Sequence, residues 1–327
     1  MRVRLGRMVA LAAVLMLALA GCGGTVAPAA APAPTFAAPV PPDVEDPAAI
    51  PAAGAAADNS CQPLRSFRPP ASMPQPGQMP AGTTMATIAK RGRLVLGTDQ
   101  NNYLFSYRDA STGQIVGFDV DVAREVARAI FGDPNRIQIV AVSSAQRIPA
   151  VRDGTVDLVA QTMTINCDRW KQVSFSTDYF DAGQRVLVPK NSSVTRIEDL
   201  AGKKVCSAKG STSIANLVAV KVTPKPIPVG VNDWTDCLVM LQQDQVQAIS
   251  TDDTILAGLA AQDPNTKLVG PQFTQEPYGI AISQQHTDFV RFVNGVLARI
   301  RADGTWARLY AKWLGGTRTP PPAQYKD

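Results

Sequence analysis

From about residue 85 to residue 315, short apolar runs alternate with amphipathic stripes. Leu94-Val95-Leu96 predicts a strand that ends at Asp99. Residues 118–131 carry Val122, Val126 and Ile130 at i, i+4 and i+8, the apolar stripe of an amphipathic helix. Residues 137–142 predict a second strand, 147–152 a short helix and 156–160 a third strand. The pattern restarts after Pro189. Lys204-Val205-Cys206 predicts a strand, Gly210 to Ser213 open a helix, 234–242 form another, and Ala248-Ile249-Ser250 a further strand. An apolar strand at 278–283 then leads to a long helix over 288–301. Such alternation predicts a mostly parallel, doubly wound α/β sheet. A stretch this long fits two α/β units of about 100 residues better than one. No linker composition separates them, so crossing strands are expected near 187–190 and 276–279. The first lobe is then 85–188 completed by 280–327, and the second is 189–279.

The residues before this pattern differ in kind. Arg2, Arg4 and Arg7 precede an apolar run over 8–20 that is too short to span a bilayer, as expected of a signal peptide over 1–21. It ends in Leu19-Ala20-Gly21-Cys22, which resembles the lipobox of bacterial lipoproteins. That resemblance implies cleavage before Cys22 and a diacylglyceryl group on its sulfur, hence anchorage at the extracytoplasmic face of a membrane. Residues 22–84 are rich in Ala and Pro and predict an extended tether, because they offer little apolar surface to offset the entropy of ordering. The net charge of +5 falls to +2 without the three signal arginines, and no basic run follows, so a nucleic-acid partner is not expected.

Cys22 apart, four cysteines remain in what is expected to be an oxidising compartment: Cys61, Cys167, Cys206 and Cys237. They allow three connectivities. The one favoured pairs Cys206 with Cys237 inside one lobe and lets Cys61–Cys167 staple the tether to the other. With no CxxC spacing and His286 as the single histidine, neither a zinc site nor another cofactor is expected.

A series of short phrases in order then carries a family resemblance: Gly97-Thr98-Asp99, Phe105-Ser106-Tyr107-Arg108-Asp109, Gly117-Phe118-Asp119-Val120-Asp121, Arg147-Ile148-Pro149-Ala150 and Gly154-Thr155-Val156-Asp157-Leu158. Asp168-Arg169, Leu200-Ala201-Gly202-Lys203, Gly210-Ser211-Thr212-Ser213, Thr251-Asp252-Asp253 and Tyr278-Gly279-Ile280 continue it, and Lys312-Trp313-Leu314-Gly315 closes it. Their order and spacing resemble the polar amino-acid-binding family of ABC-transporter solute-binding proteins. The resemblance implies the periplasmic-binding-protein fold, two α/β lobes joined by two strands with the ligand between. It implies a monomer that delivers an amino acid to a membrane permease or reports it to a membrane sensor.

An amino-acid zwitterion loses hydration at both charged ends when a cleft closes, so each end needs a charged or multiply hydrogen-bonding partner. By resemblance Arg169 forks onto the α-carboxylate, Thr164 shares it, and the carbonyl at Thr162 receives the ammonium. In the second lobe Thr212, with Ser211 beside it, opens a helix whose first N–H groups suit a carboxylate. Asp252 would take the ammonium at a strand's carboxyl end, with Asp253 its competitor. Ser144 and Arg147 resemble the reader of a distal carboxylate and tilt the ligand toward glutamate or aspartate. Asp99, which in glutamine binders accepts from the ligand amide, pulls the other way. Tyr103 and Phe105 are expected to wall the pocket, Phe105 with more reason to be core. An enzyme is not expected: Asp99 is the one candidate acid or base, and no nucleophile motif accompanies it.

Overall fold

The computed structural model describes residues 38–49 and 61–327. The expected signal sequence and Cys22 lie outside the described residues. Among those described, no helix is long and apolar enough to cross a membrane.

Two five-stranded sheets form the framework. The first runs Ile137–Ala141, Leu94–Thr98, Leu158–Val159, Ala281–Ile282, Ser174–Phe175; the second runs Ile227–Val231, Lys204–Ala208, Ala248–Asp252, Gln184–Pro189, Thr266–Val269. In each the first three strands are parallel, as the strand–helix alternation predicts, and the fourth is antiparallel. The reversed strand of the first sheet is the one that has just returned from the second lobe. Helix Phe118–Phe131 buries Val122, Val126 and Ile130 completely and begins at Gly117, whose φ of 141° and contact with the Phe105 carbonyl exclude a side chain. Helices Thr287–Ala302 and Thr305–Leu314 complete the first lobe's core. Burial of Trp306, whose Nε1 donates to the Tyr179 carbonyl, anchors the second of them.

The antiparallel pair Phe180–Ala182 and Glu276–Tyr278 runs between the sheets. The second crossing is where the sequence suggests it. The first is not: residues 187–189 end a strand paired on both sides within the second sheet. Leu187 packs into one hydrophobic cluster and Val186 and Val188 into another, so this strand is buried on both faces. Such a strand reads as a continuous apolar run, which in sequence does not differ from a crossing.

The described parts of the Ala/Pro-rich segment depart from the expected tether. Glu45 bridges Gly230 on the edge strand of the second sheet through two 2.9 Å backbone hydrogen bonds, and Val44 packs against that lobe's core. Residues 61–84 dock on the first lobe through Leu64, Phe67, Met73 and Met79. The Trp170 indole there donates to the Pro63 carbonyl, and Arg65–Ser66 pairs with Gln324–Tyr325. These few apolar anchors and the disulfide Cys61–Cys167 offset the ordering entropy that composition alone leaves uncompensated. The second disulfide is Cys206–Cys237, within the second lobe.

Candidate functional site

The carboxyl ends of the parallel strands in both sheets face one polar cleft. From the first lobe, the strand Leu94–Thr98 delivers Asp99, and the short helix Arg147–Arg152 delivers Arg147. The turn after Leu158–Val159 delivers Gln161, Thr162 and Thr164, and the helix Cys167–Trp170 delivers Arg169. Asn166 caps that last helix by accepting from the Arg169 N–H at 2.8 Å, which fixes where the arginine leaves the backbone. From the second lobe come the Gly210 turn, Thr212 and Asp252.

The two arginines meet the second lobe at one atom. Arg147 Nη2 and Arg169 Nη2 each donate at 3.3 Å to the Gly210 carbonyl. Arg169 Nη1 also donates to the Thr164 carbonyl at 2.6 Å. Arg147 gives its Nε and Nη1 to the carbonyls of Ser144 and Gln161, at 3.0 and 3.1 Å. Burial holds the Arg147 guanidinium down to about 9 and lowers Arg169 as well, Glu276 and Asp252 opposing the drop at Arg169. With Ser144 they line a cavity of about 290 Å³.

A neighbouring cavity is more acidic. Asp99 lines a cavity of about 600 Å³ with Gln146, Asn232, Asp233, Lys209 and Glu45, the last supplied by the docked N-terminal segment. Asp99 accepts from the N–H groups of Gln100 and Asn101 at 2.7 and 2.8 Å; desolvation nevertheless raises its carboxyl to about 6. Gln161 donates to the Val142 carbonyl at 2.9 Å and sits 3.4 Å from Asp99, while its buried Oε1 has no partner.

Asp252 is almost fully buried, accepts from the Tyr278 hydroxyl at 2.7 Å, and is raised well above the usual carboxylate range by desolvation and then by Glu276. Asp253 instead turns to Gln272, Gly183 and Thr254 at its helix's first turn. Thr162, at φ 40°, donates its N–H to Asp119, which the Tyr179 hydroxyl also holds and burial raises to about 7. Ser211 is occupied as a helix cap, donating to the Ala208 carbonyl and accepting from the Ile214 N–H. Tyr103 packs on Tyr107, and its carbonyl abuts Gly258 of the second lobe; it lines neither of these cavities. Phe105 is core, among Phe118, Phe180 and Tyr278.

Sequence reasoning passed over Glu276. Its Oε2 accepts from the hydroxyls of Thr164 at 2.6 Å and Thr212 at 2.8 Å, which lie 3.2 Å from each other; its Oε1 accepts from Asn216 at 3.0 Å and Thr274 at 2.7 Å. Nothing local marks this glutamate, because three of its four partners, Thr164, Thr212 and Asn216, come from distant stretches of chain. Asp119 was visible only as part of a family phrase.

Two α/β lobes joined by an antiparallel strand pair, with a polar cleft between their strand ends, define a solute-binding protein of the periplasmic type. Residues 94–316 match the family model for bacterial extracellular solute-binding proteins, family 3. The chain belongs to that family. It is 36% identical to the ABC transporter glutamine-binding protein of Bacillus subtilis, over 71% of this chain and 84% of that one. It is 31% identical to the L-glutamate/L-aspartate-binding protein of Pseudomonas aeruginosa, over 73% and 82%. Among solved structures, an ancestral arginine-binding protein bound to glutamine superposes with a TM-score of 0.63 at 33% identity, covering 69% of this chain and 99% of that one.

Proposed function

We propose that this chain captures a polar α-amino acid for an ABC permease, and that glutamine is a better ligand than glutamate or aspartate. The observation that carries the proposal is the polarity of the cleft, with Arg147 and Arg169 lining one cavity and Asp99 another, and with Arg169 and Asp252 contributed by opposite lobes. Arg169 and the first N–H groups of the helix Thr212–Ala219 would hold the α-carboxylate. Asp252 and the Thr162 carbonyl would hold the ammonium, and binding that cation returns Asp252 to its charged form. Thr164 would share the carboxylate through its backbone N–H, its hydroxyl being donated to Glu276.

The side-chain preference follows from charge. The buried ionisable groups include two guanidiniums, Arg147 and Arg169, against the carboxyls of Asp99, Asp119, Asp252 and Glu276. A zwitterion with an uncharged side chain adds no further negative charge to that set; glutamate adds one. Three of the Arg147 donors already serve backbone carbonyls, while Asp99 and the unpartnered Gln161 Oε1 are acceptors suited to an amide N–H₂. Arg147 and Ser144 beside the cleft are the features that favour an acidic ligand. The names of the relatives span both ligand types. The protein would work as a monomer, held at the outer membrane face by lipid on Cys22.

A thermal-shift screen of the twenty amino acids on ligand-stripped protein decides between them. A ligand at 100 times its Kd stabilises the folded state by about 2.7 kcal/mol. Glutamine is expected to give the largest rise in Tm. A rise with glutamate or aspartate alone would show that Arg147 reads a distal carboxylate and would overturn the charge argument.

A further inference from the structure

We infer that Glu276 is an interlobe latch, a positioning residue that gives the closed cleft hydrogen bonds of its own, apart from any the ligand makes. One oxygen of its carboxylate takes the hydroxyl protons of Thr164, from the first lobe, and Thr212, from the second. The other oxygen takes Asn216, one turn further along the helix Thr212–Ala219, and Thr274. Glu276 lies in the strand that crosses between the lobes and is only 2% exposed. A carboxylate removed from water this completely is held by donors or it costs several kcal/mol. Here the donor set is complete only while the Thr212 helix stands against Thr164. Opening the cleft separates at least one threonine from the carboxylate, and closing restores the pair.

The position is also the one where the ligand's α-carboxylate would arrive. Thr164 and Thr212 each have one hydroxyl proton, and both are given to Glu276. The ligand is therefore left the Arg169 fork and backbone N–H groups, while the threonine hydroxyls work between the lobes. A latch of this kind raises the fraction of unliganded protein already closed, and apparent affinity rises by the same factor. Its thermodynamic effect is a population shift with no direct ligand contact.

The inference rests on the two-lobed binding reading, so its test separates the two. Small-angle X-ray scattering of ligand-stripped wild type and Glu276→Ala needs no ligand. The variant is expected to be the more expanded, and calorimetry is expected to show its Kd for glutamine raised on the order of tenfold, the factor one hydrogen bond to a charged group carries. Glu276→Gln retains the size and one acceptor oxygen while losing the other, and is expected to fall between. It also serves as the folding control, should the alanine variant fail to fold. Unliganded scattering profiles identical in wild type and both variants would overturn the latch, whether or not affinity changes, because an effect on affinity alone would place Glu276 against the ligand.

Discussion

Asp99 shows how one buried carboxyl couples ligand preference to stability. Its ordinary value of 3.8 is raised to about 6 by desolvation, against two backbone N–H donors that lower it. The folded protein therefore holds this proton more tightly than the unfolded chain between about pH 4 and 6. Stability from this group falls as pH rises through that window and stays reduced above it. At 1.36 kcal/mol per unit the penalty is about 3 kcal/mol. Asp99→Asn keeps an acceptor without the charge, so the unliganded variant should be more stable than wild type at pH 8 and equal to it near pH 3. A urea titration showing the variant less stable at pH 8 would contradict this. Arg169 makes the complementary case. Arg169→Ala removes two-point binding of the α-carboxylate and should weaken every amino-acid ligand by on the order of 100-fold or more. Retention of affinity in calorimetry, with a folded variant, would remove that assignment.

At the scale of elements, legibility followed the range of the forces involved. The helix Phe118–Phe131 was readable because its burial repeats with the helical period. The strand Gln184–Pro189 was misplaced because burial on two faces erases the alternation that marks one face. Asp99, Arg147, Arg169 and Asp252 could be singled out because each sits in a short phrase that resembles the family's. Glu276 was not, since its partners are set only by the folded arrangement. The docking of residues 61–84 likewise depends on Phe67, Met73 and Met79 finding a partner surface that composition does not announce. Its disulfide closes a loop of 106 residues, a span for which cross-linking contributes about 4–5 kcal/mol through the unfolded chain. Changing both Cys61 and Cys167 to Ser should lower thermal stability by that order while leaving glutamine affinity within about twofold, since Asn166 still caps the helix that delivers Arg169; a large loss of affinity in calorimetry would show that the docked segment organises the site.

At the scale of the whole molecule, Gly210 stands where the two lobes meet. Its carbonyl receives both arginines, its φ is +74°, and a Cβ there would stand 2.6 Å from the Ala145 Cα of the other lobe. Overpacking of this kind typically costs 1–3 kcal/mol. The open form escapes that cost, so Gly210→Ala should weaken binding by about tenfold while each lobe keeps its fold. Scattering should show the variant compacting less on ligand addition; full compaction with unchanged Kd would mean the lobes do not meet at this turn.

One guanidinium and one aspartate from opposite lobes, Arg169 and Asp252, are proposed to hold the two charged ends of a single amino acid. A crystal structure of the protein grown with glutamine tests it most directly. In that crystal the α-carboxylate should lie on Arg169, the ammonium on Asp252, and the side-chain amide toward Asp99 and Gln161. Density for glutamine elsewhere, or Arg169 and Asp252 turned to solvent in a protein that has bound it, would rule that arrangement out.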